Sequence, residues 1–352
     1  MTQQPPPWGP SVGPPPGTPP PWAPAPGPSA EEVAHQHWLG ERQRAHPHPR
    51  PRTYPLMLRT WSYAWWKPPV GVLFGVLVFF VVQVALTVFL VIGALTEGGS
   101  KPLDQRITEL GQLDKVTPWT MLYLNLGLAS LTLVAWLVVR VVHGMRPRWL
   151  ASVRPGLRWK FFLACLGIAV VAMGASLVVG AFLPGDSNGT SGSAHVPTGQ
   201  LLATAVVILF TTPLQALGEE YGFRGYLMQA FGSFTGSRIV ALAITSTLFA
   251  LAHGTQNAPL FLDRFLFGLM AGVLVIVAGG LEAGIALHVL NNLVAFGIAV
   301  AFDQLDSTLT VSEASWWQLP VTLVQDGVFL VLVLLVVRRM GLRNTTEPPP
   351  AA

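Results

Sequence analysis

The chain is predicted to be an all-α, polytopic membrane helical bundle of about eight transmembrane helices, preceded by a disordered proline-rich N-terminal tail. Three observations predict it. Of the 352 residues, 51% are hydrophobic and only 11% are charged, whereas a soluble domain is roughly a quarter charged. Apolar runs of about 20 residues, the length that crosses a bilayer as a helix, recur along the chain. Some loops between them are basic without an acid and others acidic without a base, while segment 96–117 is mixed. Lys and Arg together number 21 against 17 Asp and Glu. That excess is too small to suggest a nucleic-acid partner; its placement reports topology instead. The single cysteine, Cys165, excludes an intramolecular disulfide framework and a multi-cysteine metal site. The N-terminus lacks a basic patch followed by an apolar stretch, so no secretory signal peptide is expected.

Residues 1–68 are read as a cytoplasmic tail, mostly disordered. The first 30 residues hold thirteen prolines among Gly, Ser and Ala, a composition that favours extended polyproline conformations over helix or sheet. Several P-x-x-P spacings leave a proline-motif partner open for this tail. Arg42, Arg44, Arg50, Arg52, Arg59 and Lys67 follow, with Trp61, Trp65 and Trp66. Basic residues and tryptophans just before a span read as an inner-face anchor. The helical domain is placed at 69–340, with spans near 70–95, 119–142, 161–183, 200–218, 238–253, 260–279, 283–301 and 317–337. A short cytoplasmic tail, 341–352, ends the chain. Segment 143–160 carries Arg146, Arg148, Arg154, Arg158 and Lys160 and no acid, and Arg338, Arg339 and Arg343 follow the last span. Segments 184–199 and 302–316 carry only Asp186 and only Asp303, Asp306 and Glu313, respectively. Eight spans with both termini cytoplasmic put every basic loop inside.

Ionisable side chains at membrane depth cost several kcal/mol each and mark function. Glu219, Glu220 and Arg224 end one apolar run, and His253 and His288 interrupt others. In a helix Glu220 and Arg224, four apart, share a face in the favourable order of acid before base. Glu219 points about 100° away without that partner. A carboxylate in a partly dry site gains proton affinity, as a general base for water requires. Phe249 and His253 are also four apart, so the ring can pack on the imidazole. His288 and Asn292 share a face of a segment otherwise apolar and must be satisfied by a partner, water or substrate. Asn291 faces away from that pair and fits an interhelical hydrogen bond. Each element alone fits helix packing or a surface ion-pair network as well as chemistry.

Together, in this order, the motifs E-E-x-x-x-R (Glu219–Arg224), F-x-x-x-H (Phe249–His253) and H-x-x-x-N (His288–Asn292) resemble the CPBP family. This family of intramembrane proteases includes the type II CAAX prenyl endopeptidases and bacterial bacteriocin-processing and self-immunity proteins. The resemblance covers about residues 160–337. It implies an endopeptidase acting near the cytoplasmic side of the membrane on a membrane-associated peptide or protein; a composition rich in Ala, Gly, Pro, Val and Arg with little Lys suggests that this is a bacterial cell membrane. Glu219 and His253 would activate water, and His288 and Asn292 would stabilise the oxyanion. Glu220, Arg224 and Phe249 would orient these groups. The H-E-x-x-H arrangement of two zinc ligands on one helix is absent. A Zn or other divalent metal held by Glu219, His253 and His288 across three helices stays open. So does a catalytically silent scaffold or immunity-type binding protein that uses the cluster for packing. A transporter using the same groups as an ion relay is disfavoured, since no hydropathy repeat between the halves is evident.

One geometric conflict accompanies this reading. The span limits put Glu219 near the inner end of span four and His253 near the outer end of span five, about 24 Å apart along the axis. The two meet if helix continues through 219–232 and lifts Glu219 deeper, with Pro213 as a kink. The motif set argues for that continuation.

Overall fold

A computed structural model describes residues 27–113, 115–184 and 199–349. Most of the proline-rich segment and Asp186 lie outside the described residues. Among those described, every regular element is a helix.

A first helix, α1 (Ala30–Ala45), forms where the sequence predicts only tail. Its start is a capping box: Ser29 Oγ accepts from the Glu32 amide at 3.1 Å, and Glu32 Oε2 accepts from the Ser29 amide at 2.7 Å. The S-x-x-E pattern just after the proline run carries that signal.

Among the described residues, seven helical stretches are long and apolar enough to cross a membrane. The first, Lys67–Thr96, joins α2 (Lys67–Leu86) and α3 (Val88–Thr96) at Thr87, whose hydroxyl turns back onto the Val84 carbonyl. After a short α4 (Leu103–Gly111) come α5 (Pro118–Val141) and α6 (Trp159–Gly180). The fourth stretch is continuous from Gly199 to Thr235. It comprises α7 (Gly199–Glu219), a π-helical segment Glu220–Leu227 and α8 (Met228–Thr235). Gly236, at φ 76°, turns the chain into α9 (Arg238–Leu251). Only glycine takes that left-handed conformation without strain. The remaining helices are α10 (Ala258–Ala278), α11 (Glu282–Ala301), the short α12 (Leu305–Leu309) and α13 (Gln318–Arg339).

Two boundaries differ from the sequence reading. The fifth expected span, 238–253, is the 14-residue α9; at 1.5 Å per residue it reaches only about 21 Å of a roughly 30 Å hydrocarbon core. The fourth does not stop at 218. Its polar stretch Gly218–Arg224 lowers hydropathy, yet Glu220 pairs with Arg224 within it and the helix runs on. Outward side chains such as Leu73 (70% exposed), Phe80 (64%) and Ile239 (73%) have no protein neighbours to cover them, as lipid-facing positions require.

The loops sort onto two faces. On one, the Val153 amide bonds the Gly279 carbonyl, the Leu281 amide bonds that of Ala151, and Arg59 Nε reaches the Ser233 carbonyl. Residues 46–66, read as tail from sequence, are packed onto this face. The Thr346 amide bonds the Arg52 carbonyl and Tyr54 donates to Leu150. His48 and His46 stand edge-on to Trp149 at 5.1 and 5.7 Å. Arg158 grips the fully buried Glu282 at 2.6 and 2.8 Å, tying the start of α6 to that of α11. On the other face Asp306 accepts from the Val116 amide, and the Asn257 amide bonds the Ser312 carbonyl. The first face gathers arginine-rich loops, and the second carries Asp303, Asp306 and Glu313.

Candidate functional site

Close approach of α7 to α5 sets the floor of the site. A Cβ on Gly218 would run into the backbone of Leu128 and Ala129, so the helices touch there as only glycine permits. One turn earlier, Asn125 Nδ2 of α5 donates to Thr211 and Thr212 of α7 at 2.7 and 3.1 Å. These bonds hold Glu219, on the same helix, in register.

The π-helical turn then separates the two glutamates. Glu220 is fully buried, and its Oε1 accepts from Arg224 Nη1 and from His288 Nδ1, both at 2.9 Å. Arg224, 1% exposed, places its Cζ over the Phe249 ring, 3.9 Å from the centroid. The four-residue spacing thus pairs Glu220 with Arg224 as sequence predicts, and the turn is π rather than α. Sequence did not reveal the second bond, to His288 on α11, 68 residues away. Gly284, one turn before His288, makes room for it: a Cβ there would stand 2.7 Å from Glu220 Oε2.

Glu219 points the other way. It is 6% exposed and, among the described residues, pairs with no lysine or arginine. Gln215, one turn earlier, donates to its Oε1 and accepts from Asn292 Nδ2 at 3.0 Å. Glu219 Oε2 stands 3.8 Å from His288 Nε2, too far for a direct hydrogen bond and close enough for a shared water. Gln215 is a site residue the sequence reading missed, although a glutamine four before a glutamate in an apolar run was visible.

His253 reaches the same place by symmetry about Gly236. Glu219 stands seventeen residues before that turn and His253 seventeen after it. The antiparallel hairpin therefore brings them to one level, which resolves the conflict between the expected span limits. His253 donates Nδ1–H to the Phe249 carbonyl at 2.8 Å and packs edge-on to its ring at 4.9 Å. The same ring meets His288 edge-on at 6.0 Å, so Phe249 touches both imidazoles and the guanidinium.

Glu219, His253, His288 and Asn292 all line one cavity of about 830 Å³. Its wall extends from Val72 and Leu227 to Leu113, Thr308 and Leu309. Asn291, expected to bond between helices, accepts from Gln325 of α13 at 3.2 Å. Two further acids on this wall, Asp263 and Asp326, escaped the sequence reading. Each is an ionisable residue inside an apolar span and carried that signal.

The metal set expected of Glu219, His253 and His288 is not assembled. Each imidazole is anchored through Nδ1 to its own acceptor, Glu220 or the Phe249 carbonyl, which fixes the ring and leaves Nε2 as the remaining ring nitrogen. Among the described residues no three His, Cys, Asp or Glu side chains gather in a metal-holding geometry.

Residues 201–294 match the family described as Rce1-like, type II CAAX prenyl endopeptidase Rce1-like. "Uncharacterized protein YyaK" of Bacillus subtilis (strain 168) is 30% identical over 99 residues, covering 26% of this chain and 32% of that protein. The chain therefore aligns with about a third of this relative's length. No solved structure matches. The matched interval contains all three polar motifs and the helices that place them. Over residues 201–294, about a quarter of its length, the chain is thus similar to the type II CAAX prenyl endopeptidase Rce1-like family, which supports the resemblance carried by the three motifs.

Proposed function

We propose that the protein is an intramembrane endopeptidase that hydrolyses a peptide bond of a membrane-associated peptide or protein by Glu219- and His253-activated water. The observation that carries this reading is the state of Glu219. It is a nearly buried carboxylate bonded to a neutral amide rather than to a cation, and it faces a cavity with two histidines. A carboxylate placed so, with no arginine bonded to it, is positioned to take a proton from a cavity water.

The water lies against Glu219 and His253. Its oxygen attacks the scissile carbonyl carbon while Glu219 takes its proton. The carbonyl oxygen becomes an oxyanion facing His288 Nε2–H and an Asn292 amide N–H. Glu220, which accepts from His288 Nδ1, fixes the orientation of the ring for this donation. As the tetrahedral intermediate collapses, the C–N bond breaks and the proton held by Glu219 passes to the departing amine. His288 sits six residues into α11 from the face bearing the arginine-rich loops, about 9 Å of helix rise. The positive-inside rule marks that face as cytoplasmic, so cleavage is assigned nearer that side of a bacterial cell membrane, with both termini cytoplasmic.

The test is quantitative membrane proteomics of cells carrying the wild type, Glu219→Ala or Glu219→Gln, with folded protein verified in each. A precursor that accumulates only in the variants is expected and would identify the substrate. Equal processing in all three, with partner association altered instead, would replace the enzyme by a silent scaffold. Activity on that precursor is expected to survive a strong chelator. Loss reversed by added zinc would assign a metal.

A further inference from the structure

We propose that Asp326, with Asp263, forms a subsite in the cavity for a cationic group of the substrate, a lysine or arginine side chain flanking the scissile bond. The inference rests on the endopeptidase reading for the identity of the ligand and on separate residues for the site itself.

Asp326 lies within α13, lines the cavity and is 6% exposed. Neither of its carboxylate oxygens has a hydrogen-bond partner within the protein. A buried carboxylate without partners is costly, and side chains of this kind inside a membrane are matched by a counter-charge. Neither neighbouring arginine forms an ion pair with Asp326. Arg224 bonds Glu220 and stacks on Phe249, and Arg264 donates to Gln256 at 2.8 Å.

Asp263 of α10 accepts from Thr322, one turn before Asp326 on the same face of α13. Both carboxylates thus border one stretch of wall, with Thr322 and Gln325 between them. The charged groups lining the cavity, histidines aside, are three carboxylates, Glu219, Asp263 and Asp326, against the single guanidinium of Arg264. A pocket shaped for an apolar chain alone needs none of them. The rest of the wall is apolar, with Phe267, Phe296 and Val321, and can carry the methylene stem of a lysine while its ammonium reaches the acids. The subsite adjoins the reaction centre: Gln325 bonds Asn291, the neighbour of Asn292.

The experiment measures binding separately from cleavage. Full-length Glu219→Gln protein in lipid nanodiscs is titrated with labelled apolar peptides identical except at one position, where lysine, norleucine or glutamate is placed in turn along the peptide. At one register lysine is expected to bind about tenfold tighter than norleucine, the scale of a charge-assisted bond, and glutamate weaker than both. Asp326→Asn should bring lysine and norleucine within about twofold, and Asp263→Asn should reduce the gap. No lysine preference at any register overturns the proposal, as does a preference unchanged by both substitutions. If Asp326→Asn does not fold, the peptide comparison and Asp263→Asn decide the matter. Lysine preference without cleavage by the wild type would keep the subsite and sink the endopeptidase reading; cleavage without preference would do the reverse.

Discussion

Adding one methyl group at Gly284 tests whether the Glu220–His288 bond supports the reaction. An alanine Cβ there would lie 2.7 Å from Glu220 Oε2 and 3.4 Å from its Cδ, so the carboxylate must move. It has little room, because Oε1 is held at 2.9 Å by both Arg224 and His288 and the side chain is fully buried. Rotating it away weakens at least one charge-assisted bond, worth about 1.5–3 kcal/mol. Alanine returns about 1 kcal/mol of helix propensity over glycine. The net expectation is a destabilisation of about 1 kcal/mol. A shift of His288 by a fraction of an ångström should lower cleavage by roughly 10- to 100-fold. Gly297→Ala is the control: it lies in the same helix with open space around its added Cβ, and should keep activity and match or exceed wild-type stability. Cleavage of the accumulated precursor and thermal unfolding in detergent are the assays. If Gly284→Ala retains the activity and stability of Gly297→Ala, Glu220 does not orient His288.

Two further expectations concern stability. Arg224→Met leaves Glu220 buried beside His288 without its main cation and should cost about 3–5 kcal/mol, read as a lowered unfolding temperature; an unchanged midpoint would mean that water reaches Glu220. On the arginine-rich face, burial pushes His48 from 6.5 down to about 4, helped by the charges of His46 and Arg52 and opposed by its bond to the Met57 carbonyl. Between those values the unfolded chain binds a proton that the folded protein refuses. This contribution is therefore full above pH 6.5 and lost as pH falls towards about 4. His143, also lowered to about 4 by burial, adds in the same direction. Thermal unfolding between neutral pH and pH 5 should show the decline, and His48→Gln should flatten part of it; an unaltered slope would place the titration elsewhere.

Much of the architecture was legible because membrane helices must satisfy their backbone internally and face lipid with apolar side chains, so length and composition mark them. The same rule misplaced the end of the fourth helix. Hydropathy falls at Gly218–Arg224, yet Glu220 and Arg224 neutralise each other and Gln215 engages Glu219, so the polar stretch stays helical. Residues 46–66 look like tail by composition; only their contacts with Leu150 and Thr346 show that they are packed.

The sequence by itself determined what acts within one helical turn. Four-residue spacing pairs Glu220 with Arg224 and Phe249 with His253, and leaves Glu219 without a cation. The tertiary structure decided what acts between helices. The turn at Gly236 brings Glu219 and His253 level, and α11 delivers His288 to Glu220 and Asn292 to Gln215. The last helix adds Asp326 to the same cavity. Periodicity reports the face of a helix on which a side chain stands; which helix that face meets, and at what depth, follows from close packing at positions such as Gly218 and Gly284, where the absence of a Cβ lets a neighbour in.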